Sequence, residues 1–169
     1  GPPLPIGGKI QKPLLEDHLE YFNGFGGFAN LGQEYEILPS AERITPMPWI
    51  NVIANENFGF LISEIGAGYT WADNSRENKL SGWSNDPILD PASEAIYIKD
   101  KINQGITSPA ALIPGQPGSY RVRHGFGYSV FSNSEIYLDQ EMTVFVPEND
   151  RVRLWLLKIS NRSGQERSL

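Results

Sequence analysis

The chain has 169 residues, enough for one domain with a sizeable core, and no cysteine, which excludes disulfides, thiolate metal sites and cysteine nucleophiles. Its formal net charge of −6, from 14 basic and 20 acidic residues, argues against a nucleic-acid binder, which needs a basic stripe to displace phosphate counterions. No apolar run approaches the roughly 20 residues of a membrane span, and no signal-peptide pattern opens the chain.

Residues 1–16 begin Gly1-Pro2-Pro3-Leu4-Pro5-Ile6-Gly7-Gly8, which sustains neither a helix nor a central strand, and are expected to form a linker or extension. Helical spacing is confined to Leu14–Tyr21, enough for a turn or two. From 17 to 169 the chain reads as an all-β, antiparallel β-sandwich with few or no helices. Short runs rich in β-branched and aromatic residues, bounded by Gly, Pro, Asn or Asp, predict ten strands. They are Gly26–Asn30, Glu34–Leu38, Ile50–Ala54, Gly59–Ser63, Tyr69–Ala72, Ala95–Lys99, Gly125–Ser132, Ser134–Leu138, Glu141–Pro147 and Val152–Ser160. Ser132-Asn133-Ser134 is expected to be a hairpin turn, and Pro147–Asp150 a second meander step. Asp73–Pro91 shows little alternation and is expected to be a long, functional loop; Gly105–Gly118, with three prolines, is irregular. Glu166–Leu169 is expected to start a partner strand, and the absence of an initiating Met suggests an internal piece of a longer protein or a processed chain.

The chemistry-bearing residue types are sparse. Gly24-Phe25-Gly26-Gly27 lacks the Lys-Ser/Thr of a phosphate loop and reads as a bend. His18 and His124 stand far apart, so no metal ligand set and no cofactor is expected. No G-x-S-x-G marks a serine hydrolase, and no acid pair can be placed across a cleft, although Asp73, Glu77, Asp86 and Asp90 lie in the long loop. The same loop carries Trp71 and Trp83, Arg76, and Asn74, Asn78 and Asn85, which supply stacking faces and paired hydrogen bonds suited to a carbohydrate. Alternatively it caps the sandwich with its tryptophans buried. The residues alone leave both readings open.

A run of motifs goes further. Asn23-Gly24-Phe25-Gly26-Gly27-Phe28, Glu34-Tyr35-Glu36-Ile37, Thr45–Ala54, Phe58-Gly59-Phe60, Gly66–Trp71, Asn74–Leu80, Trp83–Pro87 and Arg123–Ser129 follow one another from about Phe22 to Ser163. In this order they resemble the N-terminal β-sandwich of the inverting glycoside phosphorylases related to cellobiose phosphorylase (glycoside hydrolase family 94), most closely the cyclic β-1,2-glucan synthase branch. The resemblance implies an accessory domain without catalysis of its own, beside an (α/α)₆ barrel that holds the catalytic aspartate and uses inorganic phosphate as nucleophile. It implies glycan contacts at Trp71, Asn74, Arg76 and Asn78, with Trp83 and Asp86 at the loop's far end, then at Arg123 and His124. A β-glucan or β-glucoside is the implied ligand, the barrel and a homodimer mate the implied partners, and the cytoplasmic region of an inner-membrane synthase the implied location. No membrane contact by this piece is implied. A purely structural or dimerisation role is the alternative. Lys79 and Ser81-Gly82 depart from the Arg and Thr-Pro of the family pattern, and the sandwich's final strands are expected to lie beyond Leu169.

Overall fold

A computed structural model describes residues 16, 18–40, 43–84, 86, 88–110, 120–135 and 137–169. The linker expected at 1–16 lies outside them except for Glu16, which pairs with Arg43 at 2.8 Å. Among the described residues there is no α-helix, only one 3₁₀ turn at Asn30–Gly32. The strands are β1 Gly26–Ala29, β2 Glu34–Ile37, β3 Ile50–Ala54, β4 Phe58–Ser63, β5 Gly68–Ala72, β6 Ile98–Lys99, β7 Ile106–Thr107, β8 Arg121–Gly125, β9 Tyr128–Glu135, β10 Leu138–Phe145 and β11 Leu154–Asn161. A six-stranded antiparallel sheet runs β1-β2-β8-β9-β10-β11, faced by a three-stranded sheet β3-β4-β5, with β6-β7 as a separate ribbon.

The period of two in the sequence builds the core. In β10, Leu138, Gln140, Met142 and Val144 alternate inward while Asp139, Glu141, Thr143 and Phe145 point out. Register then lines up Ile37, Val122, Phe131, Met142 and Leu157 across five strands. This row meets Ile53, Phe60 and Ile62 of the smaller sheet, and Phe60 and Phe131 are fully buried. Each such side chain contributes about 1.5–3 kcal/mol by leaving water.

Three differences from the sequence expectations have clear causes. The run expected as one strand, Gly125–Ser132, reverses at Phe126-Gly127, where Gly127 takes φ +83°, so β8 and β9 form a hairpin. Arg121–Gly125 escaped a strand assignment because Arg-Val-Arg-His has one apolar residue; its arginines instead pair on the sheet's outer face. Arg121 lies 3.1 Å from Glu36 and Arg123 3.5 Å from Glu34, two nearly buried carboxylates. Ser132-Asn133-Ser134 is not a turn but mid-strand in β9. Asn133 faces inward, donating to the Ser108 carbonyl and accepting from Gln140, which also donates to Thr107 at 2.9 Å and so ties the β6-β7 ribbon to the sheet.

The tail also departs from expectation. Glu166–Leu169 forms no strand; the Lys101 N–H donates to the Ser168 carbonyl at 2.8 Å, and Arg167 pairs with buried Asp100. Only Ile98–Lys99 of the expected strand Ala95–Lys99 forms, and residues 111–118 of the irregular stretch lie outside the described part.

Candidate functional site

The long loop is present as read, and it folds back over the outer face of the three-stranded sheet. Tyr69 and Trp71 alternate outward on β5, which is possible because β4 offers Gly59 opposite Trp71; a Cβ there would sit 2.6 Å from the indole. Trp83 returns onto Tyr69 with ring centroids 5.0 Å apart, and Trp71 flanks the same ring at 5.5 Å. The Lys79 ammonium lies 5.5 Å from the Tyr69 ring and 5.7 Å from Trp83. Trp71 is half-buried, and Trp83 keeps 46% of its surface exposed. The loop is therefore neither a sealed cap nor a free arm: it presents aromatic surface on a packed base.

Its polar candidates work mostly on the loop itself. Asn74 Oδ1 accepts the N–H groups of Arg76 and Glu77 at 2.9 and 3.0 Å, and its carbonyl accepts the Asn78 N–H. Asp86 accepts the N–H groups of Ile88 and Leu89, bonds that hold its carboxyl below the usual range, the Leu89 bond foremost. Arg76 is exposed and pairs with its neighbour Glu77 at 3.1 Å. The Asn78 carbonyl closes the loop onto the Ala72 N–H. Asn85 lies outside the described residues. Asp73 pairs with Arg151 at 2.9 Å and Asp90 accepts from Ser63 at 2.5 Å, so these carboxylates brace the loop.

The loop's return is pinned beside β5, whose edge is already paired by residues 78–80. Glu94 accepts from Thr70 at 2.9 Å and from Arg153 at 2.6 Å. The Arg153 guanidinium lies between the Phe60 and Trp155 rings, 4.2 and 4.4 Å from their centroids. No sequence signal marked this pair, because the partners stand 59 residues apart.

Arg123 and His124, adjacent in sequence, face opposite sides of the large sheet and do not join the loop. Arg123 belongs to the outer ion pairs, with Glu34 and, at 3.9 Å, Glu141. His124 points inward: Nδ1 lies 2.8 Å from Ser129 Oγ, and Nε2 lies 3.2 Å from the Trp49 carbonyl. Burial lowers its pKa to about 4, with the Trp49 bond opposing, so the imidazole is neutral at pH 7. Both nitrogens are engaged, so the imidazole ties the Ser129 hydroxyl to the backbone of Trp49.

Glu64 holds the other side of Trp49, accepting its N–H at 2.8 Å and the Thr45 hydroxyl. Burial pushes the Glu64 carboxyl up against these bonds, with nearby Asp90 adding to the rise. A raised folded pKa means that folding favours the protonated acid. Stability from this group is full below the unfolded value of 4.5 and declines as pH rises through the folded value. Glu64→Gln is therefore expected to flatten the fall in urea midpoint between that value and neutrality; an unchanged pH slope would count against it.

Among the described residues no three His, Cys, Asp or Glu side chains gather as metal ligands, and no helix is long and apolar enough to cross a membrane.

The sequence profile for the Glycosyl hydrolase 94 supersandwich domain matches residues 33–169, nearly the whole described sandwich. The chain belongs to this family. The supersandwich domain is also similar to the cyclic beta-(1,2)-glucan synthase NdvB of Rhizobium meliloti (strain 1021), at 40% identity over 89% of this chain and 5% of that protein. It is 27% identical to an N,N'-diacetylchitobiose phosphorylase of Vibrio proteolyticus over 86% of this chain and 18% of that protein. A 3-O-beta-D-glucopyranosyl-beta-D-glucuronide phosphorylase of Paenibacillus borealis matches at 25% identity over 87% of this chain, again 18% of its own length. The domain thus spans a small fraction of each relative.

Proposed function

We propose that this domain is a non-catalytic accessory sandwich of a larger β-glucan-active phosphorylase or cyclic β-1,2-glucan synthase, and that it shapes the glycan site beside an (α/α)₆ catalytic barrel. The observation that carries the reading is the aromatic shelf of Tyr69, Trp71 and Trp83, braced by Asn74 and Asp86 and left partly open. Aromatic faces of this kind stack on the C–H surfaces of pyranose rings, and exposed Arg76 and Asn78 stand beside them to meet hydroxyls. The relatives support the class of ligand, since their names concern a β-1,2-glucan and β-linked disaccharides. In this reading the general acid and the inorganic phosphate belong to the barrel, and the domain lies on the cytoplasmic side.

Sophorose and short β-1,2-glucans titrated into the domain are expected to shift the Trp71 and Trp83 indole resonances at millimolar concentration. Trp71→Ala is expected to abolish the response and Arg76→Ala to weaken it several-fold. Unchanged spectra would overturn the glycan reading. Phosphate-dependent release of glucose 1-phosphate by the domain alone would overturn its non-catalytic part.

A structural or dimerisation role is the second reading. It is favoured by β11, an edge strand whose Leu154, Leu156 and Ile159 are exposed at 40%, 67% and 37%. An apolar edge with no partner strand among the described residues invites another strand or face. In that case the domain would bind no sugar yet form a concentration-dependent dimer or dock onto its barrel.

A further inference from the structure

A cavity of about 460 Å³ opens where β3 begins beside β2, at the opposite edge of the small sheet from β5 and its loop. It is lined by Asn23, Tyr35, Ile37, Pro48, Trp49, Ile50 and His124. Tyr35 and Trp49 give it two aromatic walls, which meet edge-on with centroids 5.8 Å apart; Phe25 backs Trp49 at 5.8 Å and Phe28 backs Tyr35 at 5.1 Å.

The wall is held from several directions. The Trp49 N–H is fixed by nearly buried Glu64 and its carbonyl by His124, so the backbone carrying the indole is clamped on both sides. Asn23 accepts the Phe25 and Gly26 N–H groups at 3.1 Å and donates to Tyr35 Oη at 3.0 Å. With its oxygen accepting from Asn23, the Tyr35 hydroxyl hydrogen is free to be donated outward. Trp49 offers its indole N–H, which has no partner among the described residues. Among the described residues the cavity thus combines aromatic faces with two uncommitted donors, and no charged side chain lines it.

We propose that this cavity binds one or two pyranose units of a neutral glycan, at a site separate from the aromatic loop. The volume suits a ligand of that size. An anionic sugar or phosphate would find no cation among the described lining residues, whereas hydroxyl-rich rings with apolar faces match both the aromatic walls and the donors. The choice of a saccharide among neutral ligands rests on the function proposed above; the site itself rests on geometry alone.

The test is a heteronuclear NMR titration of the intact chain that resolves the Trp49, Trp71 and Trp83 indoles, with sophorose and N,N'-diacetylchitobiose as probes. Sugar is expected to shift Trp49 with millimolar affinity. Tyr35→Phe should weaken that response about tenfold, one lost hydrogen bond, while Trp83→Ala leaves it unchanged. Tyr35→Phe keeps the ring packing, and an unaltered thermal transition would confirm that the variant is folded. Shifts at Trp71 and Trp83 without Trp49 would overturn this site and leave the loop reading standing. Shifts at Trp49 alone would support the cavity and remove the loop's role. Silence at all three would overturn both, and a Trp49 response to a proline-rich peptide but not to sugars would reassign the cavity.

Discussion

Arg153→Ala is expected to lower the unfolding free energy by about 3 kcal/mol, seen as a lower urea midpoint with an unchanged slope. Its side chain is 7% exposed, pairs with Glu94 at 2.6 Å, and reaches Thr70 at 3.3 Å. Burial lowers the Arg153 pKa to about 10, partly offset by Glu94, so the guanidinium stays charged at neutral pH. Alanine would remove the stacking on Phe60 and Trp155 and leave a gap between the two sheets. Breaking a fully buried ion pair costs about 3–5 kcal/mol; Glu94, with a side chain 39% exposed, can rehydrate and keeps the loss at the low end. Arg153→Met should recover at least half of that loss, because its chain refills the gap without a charge to desolvate. The alanine variant should also loosen the loop's return, making Trp83 more accessible to acrylamide quenching. A midpoint shift equivalent to less than about 0.5 kcal/mol, the scale of a surface change, would refute the anchor.

Gly68→Ala is expected to be more damaging, about 4 kcal/mol or loss of the cooperative transition altogether. Gly68 holds φ at +148°, and a Cβ there would lie 2.0 Å from the Leu61 carbonyl oxygen and 2.8 Å from its carbon. Both are backbone atoms of the central strand β4, which is held by β3 and β5 on either side and cannot shift alone. Gly24→Ala separates conformational strain from collision. Gly24 has φ +97°, but an added methyl would meet nothing within 4 Å, so only about 1–2 kcal/mol is expected. Equal losses in the two variants, measured by thermal unfolding, would mean that the clash at Leu61 is relieved and β5 is not seated as described.

The strands were legible wherever apolar and polar residues alternate. Ile50–Ala54 matches β3 residue for residue, and Glu34–Leu38 and Gly59–Ser63 differ from β2 and β4 by one residue. Legibility failed where polar side chains take inward or laddered places. Asn133 looks like a turn residue until Gln140 and Ser108 satisfy it, and Arg121-Val122-Arg123-His124 carries no strand signal until Glu34 and Glu36 stand beside it. The aromatic loop was readable as a unit, from Trp71 to Asp86. The cavity around Trp49 was not, because Asn23, Tyr35, Trp49 and His124 come from four separate segments.

Sequence alone determined the sandwich class, the family and the position of the aromatic loop, since each is written in local period or in motifs read within a few residues. Tertiary structure alone decided that Arg123 and His124 part to opposite faces of the sheet, and that His124 secures a backbone instead of facing the loop. It also decided that Asn74 and Asp86 spend their acceptors within the loop. The reason is geometric: a strand alternates its neighbours across the sheet, and hydrogen-bond partners are chosen by distance in space, which a linear order does not contain.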